Sequence, residues 1–145
     1  MGEKKFNAKL DAARSLLEFQ MSVFQKQVVG GRGILFEHPA GATSWREPCV
    51  RAVAQLPGVY LLNFDQCRYK LTDPNGNALK KPTRLMFNMP SVLTEFSDKR
   101  CICVEKHGQC QGRQKGLRVS TFAQVYPHDL ACAFAQCAWD YASTR

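Results

Sequence analysis

The chain has 145 residues, of which 45% are hydrophobic, 10% aromatic and 22% charged, a composition that excludes a disordered segment, a collagen-like repeat or a coiled coil. One domain over 1–145 accommodates it. Its 20 Lys and Arg exceed the 12 Asp and Glu, and the resulting net charge of +8 favours a polyanionic partner such as nucleic acid over acidic or neutral ones.

From Phe6 to Val28 the apolar positions Phe6, Leu10, Ala13, Leu16, Leu17, Met21, Phe24 and Val28 recur every three or four residues, which predicts an amphipathic helix stopped at Gly30-Gly31. Gly33-Ile34-Leu35-Phe36 then reads as a buried strand opening at Glu37-His38-Pro39 into a turn-rich loop. Ser44 is the expected cap of a second helix carrying Trp45, Val50, Val53 and Leu56, ended by Pro57-Gly58. Val59 to Phe64 is the clearest strand and leads directly into Asp65-Gln66-Cys67.

Asp73-Pro74-Asn75-Gly76 signals a turn, and Thr83 to Asn88 reads as a strand antiparallel to its predecessor because the connection is too short for a crossover helix. A short helix from Pro90-Ser91 through Phe96 follows, then an aperiodic Cys/His loop at 99–118, then an apolar helix from Pro127 to Tyr141. Alternation of helix and strand predicts an α/β fold with a mainly parallel sheet, an antiparallel edge pair and flanking helices. Ligands of such sheets sit beyond the carboxyl ends of the strands, where Glu37, His38 and Asp65 all fall.

Those three residues are the candidate catalytic group, able to serve as general acid, base or orienting side chains, with capping and hydrogen bonding as the structural alternative. The candidate nucleic-acid contacts are the basic clusters Lys80-Lys81 with Arg84, Lys99-Arg100, and Arg113, Lys115 and Arg118. No run of about 18 apolar residues is present to span a bilayer, and the charged stretch Met1 to Lys9 lacks the apolar centre of a secretion signal. The expected location is therefore intracellular, nuclear or cytoplasmic, with no membrane partner. In a reducing compartment the 7 Cys are read as thiols, metal ligands or core residues before disulfides.

Cys101-x-Cys103-x-x-x-His107-x-x-Cys110, with Cys67 upstream at a strand end, offers the thiolate and imidazole donors that tetrahedral zinc prefers. Free cysteines in a mobile loop are the competing reading of the same residues. Cys49, Cys132 and Cys137 lie among apolar helix residues and are expected as small core side chains. The Gly30-Gly31-Arg32-Gly33 cluster precedes a strand, the reverse of a phosphate-cradling loop.

The segments Gly31 to Trp45, Phe64 to Tyr69, Lys80 to Leu85 and Gln124 to Pro127 resemble a group of domains from protist retroelement polyproteins, which in turn look like the second half of cytosine-5 DNA methyltransferase-like folds. The resemblance implies an incomplete Rossmann-like, class I methyltransferase-like sheet. Glu37-His38-Pro39 would stand at that family's Glu-Asn motif, with Glu37 against the cytosine ring. His38 departs from its Asn, Lys70 stands where Gly is usual, and both the Pro-Pro-Cys nucleophile loop and the glycine-bearing strand for S-adenosylmethionine are missing.

The related domains place a Cys and His-x-His after the last strand, which implies zinc held by Cys67, Cys103, His107 and either Cys101 or Cys110, the latter in place of the second His at Gln109. The expectation is then a nucleic-acid-associated domain of a mobile-element protein, with DNA the expected partner and no complete catalytic machinery of its own. An active alternative is a methyltransferase using S-adenosylmethionine once an upstream polyprotein segment supplies the missing half, or a metal-dependent nuclease built on Glu37, His38 and Asp65.

Overall fold

The chain was analysed as a computed structural model that describes residues 2–145. Helix α1 (Glu3–Val29) is followed by strand β1 (Leu35–Pro39), a 3₁₀ turn at Thr43–Arg46, α2 (Pro48–Ala54), β2 (Tyr60–Asp65), a second 3₁₀ turn at Gln66–Tyr69 and β3 (Pro82–Phe87). Then come α3 (Pro90–Phe96), the short hairpin β4 (Arg113–Gln114) and β5 (Leu117–Arg118), the single turn α4 (Val119–Phe122) and α5 (His128–Ser143).

The apolar stripe of α1 becomes a packed surface only in its second half, where Leu17, Met21, Phe24 and Val28 meet α2 and the sheet. Phe6 and Leu10 continue the stripe but remain exposed. The helix stops where Gly31 takes φ +69°, and the amides of Gly30, Gly31 and Arg32 close onto the carbonyls of Lys26, Val28 and Gln27.

The sheet overturns the expected mainly parallel, Rossmann-like arrangement. Its strand order is β1-β3-β2, and both ladders are antiparallel, with Leu35 and Tyr60 each opposite Phe87 and Pro39 and Phe64 each opposite Thr83. The crossover through α2 does return the chain so that β1 and β2 run the same way. It leaves a strand's width between them, and β3 fills that gap. A helix–strand alternation carries the direction of successive strands but not their adjacency, which is why a parallel sheet was the natural reading. The β2–β3 connection is antiparallel, in keeping with its length.

Side-chain alternation divides the sheet into two buried faces. Leu35, Leu62, Phe64, Leu85 and Phe87 pack on α3 and α5 through Val92, Phe96, Leu130 and Cys137. Phe36 and Met86 pack on the other side against Met21, Val50 and Val53. A small third cluster of Leu71, Leu79, Val119 and Ala123 seats the loop before β3 under α4.

Several local readings shift. The residue expected to cap α2, Ser44, instead lies in the 3₁₀ turn with its hydroxyl 2.7 Å from His38 Nδ1, and α2 begins at Pro48. Cys49 and Cys137 pack with the core clusters, but Cys132 is exposed, 3.3 Å from His128 Nε2. Within the Cys/His loop a hairpin forms at Gln114-Lys115-Gly116-Leu117, with Lys115 at φ 49° and Gly116 at φ 77°, the two positive values that a two-residue turn needs. Lys at the first of these positions hid the hairpin, since Asn or Asp is the usual signal.

Phe96 is fully buried and its ring lies 4.9 Å from that of Phe64, 5.3 Å from Tyr69 and 5.3 Å from Phe134. Phe96→Ala is expected to cost about 3–5 kcal/mol in urea unfolding, whereas Trp139→Ala on the exposed face of α5 stays within about 0.5 kcal/mol.

Candidate metal centre

Strand β2 delivers a buried carboxylate at its end. The Asp65 amide donates to Lys99 O at 2.9 Å, and its Oδ2 accepts the Cys101 amide at 2.8 Å and pairs with Arg100 Nε at 3.3 Å. Arg68, one turn on, donates to the carbonyls of Asp98 at 3.0 Å and Arg100 at 2.9 Å. Four hydrogen bonds and one ion pair thus bind residues 98–101 to the end of the sheet, a segment with no regular structure of its own.

That tether sets Cys101 beside Cys67, which the 3₁₀ turn after β2 presents. The chain then curls back through Cys103 to His107 and is caught by the Gly108 amide donating to Ala78 O at 2.9 Å. A Cβ at Gly108 would stand 2.6 Å from Asp73 Oδ2, so only glycine lets the loop approach that carboxylate. Asp73 itself is buried and accepts from the amides of Asn75 and Asn77 and from the side chains of Asn77 and Gln114, which lock the turn before β3 to the basic hairpin.

Cys67, Cys101, Cys103 and His107 each bring one ligand atom into a group whose members all lie within 4.8 Å of one another. Cys101 Sγ is 3.4 Å from His107 Nε2 and accepts the Cys103 amide at 3.4 Å. A tetrahedral zinc with bonds near 2.3 Å holds its sulfurs about 3.8 Å apart, so the donors need only small adjustments to surround such an ion. The group can hold a metal ion, and three sulfurs with one imidazole make a closed donor set with no place left for substrate.

Burial, followed by the hydrogen bonds its thiol donates toward Cys101 and Cys103, pushes the Cys67 thiol up to about 12. Cys101 moves down, chiefly because the Cys103 amide donates to it, helped by the neighbouring thiols and by the charge of Lys80. The proton is thus held more tightly at Cys67 than at Cys101. Crowded thiolates repel one another unless a cation sits among them.

The fourth member of the cluster is Cys101, whereas Cys110 lies outside it and lines a neighbouring cleft. The spacing alone left both open. The deciding element is the hydrogen bond that the Cys101 amide donates to Asp65, which no local pattern announces.

The three candidate catalytic residues are not brought together. Glu37 and His38 alternate on β1 and face opposite sides of the sheet, Glu37 accepting from Tyr126 Oη at 2.5 Å and His38 bonding Ser44 beneath Trp45. Asp65 lies on β2, across β3, committed to the metal loop. The basic residues also separate. Lys80 and Lys81 line the cleft beside Glu37, Arg84 donates to Asn63 and stacks over Trp45 at 5.5 Å on the opposite face, and Arg113, Lys115 and Arg118 stand exposed on the hairpin. Tyr126 was not singled out for a role from sequence, although Gln124 to Pro127 stood among the resembling segments. Searches of the chain against protein-family models, curated proteins and solved structures find no match.

His38 offers a pH test of this geometry. Burial lowers it from its ordinary value of 6.5, only partly offset by the charge of Glu37. The unfolded chain therefore binds the proton more readily, so the contribution of His38 is intact above pH 6.5 and is lost as pH falls from there through the depressed folded value. Urea midpoints taken from about pH 7 down to about pH 5 should fall further for the native chain than for His38→Asn.

Proposed function

We propose that the chain is a zinc-organised nucleic-acid-binding domain, with DNA as the expected partner. Cys67, Cys101, Cys103 and His107 hold the ion, which fixes the loop from which the basic hairpin projects. The observation that carries this reading is the four-donor cluster, with every donor offered at once and the loop otherwise without a core.

Charge supports the partner. From Lys106 to His128 the chain has no acidic residue, and Arg113, opposite Arg118 in the hairpin register, forms a basic tip with Lys115. All three are exposed, and none belongs to an ion pair among the described residues. Such a tip suits phosphate contacts, which supply affinity and register without reading sequence. A closed donor set and the dispersal of Glu37, His38 and Asp65 favour binding over catalysis.

Protein purified without added metal should contain one zinc per chain. Cys101→Ser and Cys103→Ser should lose it and Cys110→Ser should keep it; equal zinc in all three variants refutes the assignment of ligands. Mobility shift with duplex and single-stranded DNA between about 50 and 200 mM salt should show affinity falling steeply with salt. Replacing Arg113, Lys115 and Arg118 by Ala should reduce the slope of log K against log salt by about 2 with single-stranded and about 3 with duplex DNA. Absent or salt-insensitive binding sinks the nucleic-acid reading.

A further inference from the structure

Helix α1 carries more apolar surface than the sheet and α2 cover. Leu17, Met21, Phe24 and Val28 turn inward. Leu16, expected with them from its spacing, is instead 69% exposed, and Phe19 beside it is 67% exposed. At about 100° per residue, Ala8, Ala12, Leu16, Phe19 and Val23 all fall within an arc of about 80°, on a flank turned away from the buried stripe. All five are exposed, and their spacing of four, three and four residues from Ala12 to Val23 is that of a coiled-coil seam.

Single apolar side chains on a surface are ordinary, whereas an unbroken stripe of them marks an interface. Charge is kept out of this one. Of the charged residues between Ala8 and Val23, Asp11, Arg14 and Glu18 turn to other sides of the helix, Arg14 toward Glu47 at 3.5 Å, and Lys9 stands at the margin. The stripe is bordered by the neutral Ser15, Gln20, Ser22 and Gln27. In a chain of net charge +8, a second copy approaches here with least repulsion, and a polyanion finds nothing to hold.

The stripe also complements itself. Against an antiparallel copy of α1, with the two-fold axis level with the Leu17-Glu18 bond, Leu16 of each copy faces Phe19 of the other and Ala12 faces Val23. Lys9 and Lys26 come level in this register but on opposite margins. A parallel pairing would set Lys5 on Lys5 and Lys26 on Lys26. The stretch from Lys9 to Lys26 is about 27 Å of helix, and half the circumference of a helix about 10–12 Å wide over that length is roughly 500 Å². Two copies then bury about 1,000 Å² in all, the size at which specific interfaces begin.

We infer that the chain forms a two-fold symmetric dimer through this flank of α1, with the two helices antiparallel and Leu16 and Phe19 at the centre of the contact. The modest area makes the association reversible, with a dissociation constant on the order of 10 µM. The dimer depends on neither the metal centre nor the nucleic-acid reading.

Sedimentation equilibrium of the purified full chain from about 1 to about 200 µM tests it. The mass should rise from one chain toward two, and association should tighten as salt goes from about 50 to about 300 mM, because like charges are then screened. Leu16→Lys and Phe19→Glu should each weaken the dimer at least about tenfold, and the milder Leu16→Ser about fivefold, whereas Trp139→Ala leaves it intact. Mixed in equal amounts, Leu16→Lys and Phe19→Glu should associate again, since the two substitutions face one another only when the helices run antiparallel. Urea midpoints identify the variants that keep the fold. A native chain that stays monomeric throughout, or a dimer unchanged in a folded Leu16→Lys or Leu16→Ser, overturns the inference. A monomer that instead cosediments with vesicles of phosphatidylcholine and phosphatidylserine overturns it in favour of a lipid surface. Folded single variants whose mixture fails to associate overturn the antiparallel arrangement.

Discussion

The carboxylate of Asp65 is the point at which the sheet and the metal loop become one structure. It is almost wholly buried, at 1% exposure, at the end of the strand that packs against β3, and the Cys101 amide and Arg100 guanidinium both turn toward it. A buried charge is tolerable only when hydrogen-bonded and paired, so the loop has little freedom to place residues 100 and 101 elsewhere. The position of Cys101, and with it the cluster, follows from a strand end fixed by the core.

Two carboxylates divide the work of ordering the aperiodic region. Asp65 holds its beginning against β2, and Asp73 holds its end by gathering Asn75, Asn77 and Gln114 beneath the Gly108 approach. Hydrogen bonds to a carboxylate are worth about 1.5–3 kcal/mol each, enough to shape a loop but not to replace an apolar core. A metal ion held by residues 67, 101, 103 and 107 would fill that gap in a loop whose Ile102 and Val104 side chains point to solvent. The hairpin is then presented from a fixed base, and its positive charge is concentrated at a tip.

What could be read from the residues was local and periodic. The existence of α1, β1, β2, β3, α3 and α5 was legible because each carries its own helical or strand pattern, and the antiparallel turn from β2 into β3 was legible from the short connection. Sheet order was not, because the insertion of β3 between β1 and β2 is decided by which apolar faces meet, and helix–strand alternation describes several such outcomes. The donors Cys67, Cys103 and His107 were legible from residue type and spacing. Cys101 rather than Cys110 depended on a hydrogen bond spanning Asp65 and residue 101. Glu37, His38 and Asp65 share strand ends in sequence, yet strand alternation and the intervening β3 send them to different neighbours. Tyr126 reaches Glu37 only because α5 packs on the same face of the sheet, a long-range contact with no local signal.

X-ray absorption at the zinc edge, on protein purified without added metal, tests the central claim most directly. The account predicts a shell of three sulfurs near 2.3 Å and one nitrogen at about 2.0 Å. Absence of zinc, or a shell dominated by oxygen, would contradict it.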